Sequence, residues 1–201
     1  MTNIKLYVEG GGDSKELHSR CREGFRKLLE KSGFAGRMPR IVAGGGRGTT
    51  FDLFRTAALN STPNEYPILL VDSEDPIPDP RTTSWEHLKV RDDWDRPHKM
   101  EDDQAQLMVT CMETWIMADL AALRTYFGAR LNENPLLSTK DLEIRHRQAV
   151  QDSLVAATRN CSKTYTKGER SFEVLAELNP ETLRAHLPHF VALITALEKH
   201  P

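Results

Sequence analysis

The stretch LLVDSEDP, residues 69–76, ends an apolar run, Ile68 to Val71, in three acids within four positions, and no basic residue sits beside them. Such acids have hard oxygens suited to Mg²⁺ or Mn²⁺ rather than to zinc. Asp72 and Glu74 are two apart, so an extended chain projects both to one side. A second apolar run, Ile4 to Val8, ends in Glu9. Stacking these carboxylates without a cation raises their pKa values and costs stability, so a bound divalent ion is the natural compensation. Taken singly, Glu9 also reads as a solvated loop acid, and a lone D-x-E pair is common by chance. Asp75 reads equally as a further ligand or as a turn residue before Pro76. Glu113, expected where a fourth strand ends, reads either as part of the metal shell or as an acid in the first turn of a helix.

Two further stretches bear on phosphate chemistry. GGGRGTT, residues 44–50, offers the backbone N–H groups of Gly45 and Gly46 beside Arg47 at a helix start, a phosphate nest or else a plain flexible turn. It lacks the G-x-x-x-x-G-K-[ST] spacing, so nucleotide hydrolysis through a P-loop is not expected. SKTYTKGERS, residues 162–171, sets Lys163, Lys167 and Arg170 around a glycine. They read as a clamp on a nucleic-acid backbone or as charge that stabilises a transition state, with Lys167 the catalytic candidate; the alternative is a solvated turn before a helix capped by Ser171. The charges at 16–30 interleave in sign and read as a salt-bridged helix face. No histidine pair has zinc spacing, no G-x-S-x-G elbow occurs, and Trp115 reads as core.

The elements that must position these residues follow from periodicity. Residues 4–8 form a short strand released by glycines 10–12. A helix follows, with Asp13 and Glu16 fitting a capping box and Leu17, Cys21, Phe25, Leu28 and Leu29 at helical spacing. RIVA, residues 40–43, is a second strand, a second helix starts near Thr49 or Thr50, and YPILLVD is a third strand apolar enough to be covered on both faces. Residues 73–100, with Pro76, Pro78, Pro80 and Pro97, do not read as regular core structure throughout, and loops this long are usually functional or mobile. Residues 106–120 hold a fourth strand passing into a helix. Helices over roughly 139–158, 171–178 and 180–199 complete the chain. Alternating strands and helices define a parallel α/β sheet, whose carboxyl edge gathers ligands; Glu9 and Asp72, at the ends of strands that are commonly neighbours, then share one site. The chain divides into a core over 1–128 and a helical extension over 129–201 packed on it.

Composition bounds the rest. Hydrophobic residues are 39% and charged residues 28% of the 201, which predicts a folded chain, and the net charge of -2 provides no global basic field, so any nucleic acid must be met by local patches. Three scattered cysteines exclude a disulfide framework. The start MTNIKLYVEG lacks a signal-peptide pattern and no apolar run nears the roughly 20 residues of a membrane helix, so a cytoplasmic protein with no membrane partner is expected.

YVEGGGDSKEL followed by ILLVDSED resembles the TOPRIM fold of topoisomerases, primases and OLD-type nucleases, in which a Glu after the first strand and a D-x-D after the third hold divalent metal. MVTCMETWIMAD and YTKGERSFEVLAELNP carry a closer resemblance, over nearly the whole chain, to a family of small bacterial TOPRIM-like proteins of unknown function, often encoded beside an ABC- or AAA-type ATPase in defence-like cassettes. The resemblance implies a Rossmannoid, mostly parallel sheet of about four strands flanked by helices, with a C-terminal helical extension. It implies Glu9 as metal ligand or general base, Asp72 as principal ligand and Glu74 as supporting ligand. It further implies a nuclease dependent on Mg²⁺ or Mn²⁺, cutting DNA or RNA, in which the ion polarises the phosphate, generates a hydroxide nucleophile and stabilises the leaving oxygen. An ATPase partner is part of that expectation; the alternative is a non-catalytic module that docks to the ATPase and keeps a structural ion. One departure stands out: the motif here is D-x-E, at Asp72 and Glu74.

Overall fold

The computed structural model describes residues 3–200. Four strands, β1 (Asn3–Val8), β2 (Arg40–Ala43), β3 (Glu65–Asp72) and β4 (Ala105–Met108), form one all-parallel sheet in the order β2-β1-β3-β4. Helices are α1 (Lys15–Leu29), α2 (Arg47–Asn60), α3 (Ser84–Asp92), α4 (Met112–Ala118), α5 (Leu120–Phe127), α6 (Arg147–Thr158), α7 (Glu169–Glu177), α8 (Pro180–His186) and α9 (Pro188–Glu198). The α/β class, the parallel sheet and the C-terminal helices are those expected.

The period of two in β3 explains the layering. Ile68 and Leu70 enter one apolar layer with Cys21 and Phe25 of α1, Trp115 of α4 and Phe190 of α9, while Leu69 and Val71 enter a second with Phe51 and Phe54 of α2 and Trp85 and Leu88 of α3. The first layer also holds Val174, Leu183 and Leu197, so the late helices share the core with Leu6 and Val8 of β1. Pairing of Val8 with both Ala43 and Leu70, and of Asp72 with Met108, brings the carboxyl ends of all four strands to one edge.

Several local expectations change. Ser14, not Asp13, caps α1, its hydroxyl accepting from Leu17 N at 3.1 Å. The second helix begins at Arg47, two residues before Thr49, with Gly46 at its cap. Residues 73–100 are not loop throughout: Thr83 and Glu86 form a capping box that starts α3, and Trp85 and Leu88 bury against the sheet. Helix α6 begins only at Arg147, because a 3-10 turn at Leu142–Ile144 occupies the preceding stretch. The last helical stretch breaks at Leu187, where Pro188 starts α9. Among the described residues no helix is long and apolar enough to cross a membrane.

Helix α7 rests directly on α1. The contact is close at Gly24, where a Cβ would stand 2.7 Å from the Phe172 carbonyl oxygen. Helix propensity favours alanine over a mid-helix glycine by about 1 kcal/mol, but overpacking against backbone costs about 1–3 kcal/mol. We therefore expect Gly24→Ala to destabilise the fold by about 1 kcal/mol in a urea titration; stabilisation instead would mean that α7 does not seat on α1.

Candidate metal centre

Each carboxylate at the sheet edge is held by a different device. Glu9 follows β1, and its Oε2 accepts from the Asp72 backbone N–H at 3.1 Å, tying the end of β1 to the end of β3. Asp72 closes β3 with 4% exposure, and its Oδ1 accepts from Met112 N at 2.8 Å at the start of α4. Glu74 does not lie in extended chain as the D-x-E spacing suggested. The strand stops at Asp72, and Glu74 takes φ 68°, unusual for a residue with a Cβ, while its N–H donates to Thr110 O at 2.8 Å. That bend still brings it to the others: one oxygen from each of Glu9, Asp72 and Glu74 lies within 4.8 Å of the rest.

The two oxygens of each acid have different fates. Glu9 Oε2 is engaged by Asp72 N and faces Arg47 at 3.4 Å; Asp72 Oδ1 is engaged by Met112; Glu74 Oε2 is met by Arg147 and, at 3.6 Å, by Arg91. Among the described residues, Glu9 Oε1, Asp72 Oδ2 and Glu74 Oε1 accept no hydrogen bond. Outer contacts that orient one oxygen and leave the other to an ion are what a divalent site requires, and three hard oxygens suit Mg²⁺ or Mn²⁺.

Glu113 differs. It lies in the first turn of α4 and lines the cavity with Glu9 and Asp72, yet both its oxygens are engaged, by Tyr165 Oη at 2.8 Å and Gln151 Nε2 at 3.3 Å. Burial and the Glu113 carboxylate push the Tyr165 phenol far above its ordinary range, so it stays a donor. Burial, then repulsion from Glu9 and Glu113, raises the Asp72 pKa well above its ordinary value, against the opposing pull of Lys167 and the Met112 N–H. Burial also raises Glu9, against Arg47, the Asp72 N–H and Lys167.

The phosphate nest is arranged otherwise than its sequence suggests. The Arg47 guanidinium grips Asp92 through Nε at 3.2 Å and its terminal nitrogen at 2.6 Å, donates to the Asp72 carbonyl, faces Glu9 and lies 4.9 Å from the centre of the Trp94 ring. Gly45 N–H donates to Gly10 O at 3.0 Å, and Gly10 N–H returns the bond to Gly45 O at 2.9 Å, so the two glycine loops are stitched together. Gly46 remains at the helix cap, on the wall of the cavity. Of the three cations at 163–170, Lys167 alone lines this cavity; Lys163 stands over Tyr126. Asp75 meets Arg91 at 3.3 Å. The cavity is about 440 Å³, with the glycines 10–12, Met112 and Phe172 on its walls. Arg47's grip on Asp92, Arg91 and Arg147 on Glu74, and Tyr165 on Glu113 went unread in sequence because each partner lies far along the chain.

Fold and site together define an α/β protein with a carboxylate centre at the carboxyl edge of a parallel sheet, ringed by arginines and one lysine. The chain belongs to the DUF4276 family, a domain of unknown function, which matches residues 8–198. No curated protein and no solved structure matches the chain.

A buried carboxylate crowded by two others opposes folding when no cation is present, and Asn at position 72 keeps the acceptor for Met112 N while removing charge. In EDTA at neutral pH we expect Asp72→Asn to raise stability by about 1 kcal/mol, as relieving a functional site commonly does. The folded wild type, with Asp72 and Glu9 raised, binds more protons than the unfolded chain. Its stability therefore falls as pH climbs above the ordinary carboxylate range near about 4, and the variant's curve is flatter. Thermal melts across pH check both; a variant less stable than wild type at every pH would reject the repulsion.

Proposed function

We propose that this protein is a TOPRIM-type phosphodiesterase dependent on Mg²⁺ or Mn²⁺ that cuts DNA or RNA, working as the effector of an ABC- or AAA-type ATPase in a bacterial defence system. The observation that carries the catalytic reading is the split in the three carboxylates: one oxygen of each engaged by the protein, the other accepting no hydrogen bond, all three acids at one sheet edge. The order β2-β1-β3-β4 and the placement of Glu9 and Asp72 at adjacent strand ends accord with a TOPRIM relationship. The ATPase partner rests on the family resemblance alone.

When bound, the ion supplies Lewis-acid polarisation of a phosphoryl oxygen. The chain supplies the rest. Asp72, fixed by Met112 N, is the principal ligand, and Glu74 brings a third oxygen from its bent backbone. Glu9 is held by Asp72 N and Arg47, and burial raises its pKa, which makes it a better proton acceptor than an ordinary carboxylate. Lys167, exposed at the rim, faces the charge that develops on a phosphoryl group.

A second reading keeps the ion structural and makes the chain a docking module for the ATPase. It is favoured by the enclosure of the acids, with Glu9 and Glu74 side chains only 16% and 12% exposed, and by the arginines that already neutralise them. The two readings part on cleavage. Mn²⁺ binding followed by electron paramagnetic resonance should weaken at least tenfold in Asp72→Asn and Glu9→Gln, with circular dichroism unchanged, in keeping with the 10–100-fold effects seen even for groups one layer out. Both variants should abolish metal-dependent cutting of end-labelled DNA or RNA by the chain with its ATPase. Retained Mn²⁺ binding in both would sink the shared site; intact metal binding with no cleavage by the assembled complex would favour the docking module.

A further inference from the structure

Two arginines from distant segments meet at the outer side of the acid centre. Arg91, near the end of α3, lies against Glu74 at 3.6 Å and Asp75 at 3.3 Å and also contacts Asp92. Arg147, the first residue of α6, contacts the same Glu74 oxygen. Arg147 has no other ion-pair or side-chain hydrogen-bond partner among the described residues, and its side chain is 45% exposed. A guanidinium has five N–H donors in a fork, so one carboxylate oxygen leaves most of them unspent.

Lys167 approaches the centre from elsewhere. It lines the cavity with Glu9 and Asp72, whereas Glu74, Arg91 and Arg147 stand outside that wall. The carboxylates are thus flanked by cations on two sides. One isolated phosphate seated on the centre meets one flank; a chain of phosphodiesters crossing the centre meets both, with successive phosphates on successive cations. The half-exposed Trp94 is engaged by Phe51, stacked at 4.1 Å between ring centroids, and by Arg47, so it provides no free base-stacking platform at this flank. Contact through the backbone alone makes binding indifferent to sequence and sensitive to salt.

We propose, on the phosphodiesterase reading above, that Arg91 and Arg147 are positioning residues for an extended polynucleotide strand that runs across Glu9, Asp72 and Glu74 toward Lys167. The substrate class is then a polynucleotide rather than a mononucleotide or a small phosphate ester. Binding breaks no covalent bond; the arginines exchange part of their hold on Glu74 for phosphate oxygens.

The test is fluorescence anisotropy of a short labelled single-stranded oligonucleotide, DNA and RNA in separate arms, with Ca²⁺ replacing Mg²⁺ to withhold hydrolysis. Arg147→Ala and Arg91→Ala should each weaken binding roughly tenfold at moderate salt and lower the slope of log affinity against log salt by about one. Arg55→Ala, on the exposed face of α2 and paired with Asp52, should change neither. Mn²⁺ binding should persist in both arginine variants, because the ligands remain, and a mononucleotide should compete poorly. Affinities equal to that of Arg55→Ala would overturn the proposal, as would loss of Mn²⁺ binding in Arg147→Ala, which would make the arginine a prop for Glu74. A wild type that binds Mn²⁺ but no oligonucleotide overturns it together with the nuclease reading. Arginine-dependent binding without cleavage upholds it and removes only catalysis.

Discussion

The hydrogen bond from the Asp72 backbone N–H to Glu9 is the joint on which the carboxylate centre hangs. It exists because β1 and β3 are parallel neighbours, with Val8 opposite Leu70, so that the residue after one strand meets the last residue of the other. Asp72 sits at the end of a strand covered on both faces, and its burial follows from the apolar residues before it rather than from any contact of its own. Removing one unpaired carboxylate from water costs several kcal/mol even after relaxation. The fold offsets that cost in part, through Met112 N–H, through Arg47 beside Glu9 and through Lys167, and leaves the remainder as an attraction for a cation.

Arg47 shows how the same residue can be read two ways. Beside three glycines at a helix start it has the look of a phosphate ligand, and a sequence carries no record of Asp92, which comes from the end of α3. In the fold its guanidinium is shared among Asp92, the Asp72 carbonyl and Glu9 and is backed by the Trp94 ring. Such a group holds Glu9 in one orientation and partly neutralises it. The segment once expected as loop thereby becomes the outer wall of the centre, contributing Arg91, Asp92 and Trp94 within four residues.

What was legible in the sequence divides along physical lines. Strands β1, β2 and β3 end where apolar runs meet glycine or acid, and hydrophobic burial alone predicts them and their common edge. Glu9 and Asp72 were legible because a strand end fixes a side chain's location almost completely. Glu74 was legible as a residue but not as a geometry, since the extended-chain argument fails once β3 stops at Asp72 and φ turns positive. Helix α3 was obscured by the prolines around it, whose signal for irregular chain outweighed a capping box at Thr83 and two buried apolar positions. Long-range ion pairs have no local signature, which is why Arg91, Arg147 and Tyr165 entered only with the fold.

Two classes of acid now separate at one edge. Glu113 is buried and has both oxygens satisfied by neutral donors, Tyr165 and Gln151, so it can remain in place with or without an ion. Glu9, Asp72 and Glu74 each hold one oxygen engaged and one that accepts no hydrogen bond. If the edge served only to finish the strands, the first arrangement would suffice for all four, since a fully satisfied buried polar group costs least. Among these four acids the incompleteness falls on the three whose oxygens converge within 4.8 Å. It is this convergence, more than the number of acids, that would suit a shared ligand.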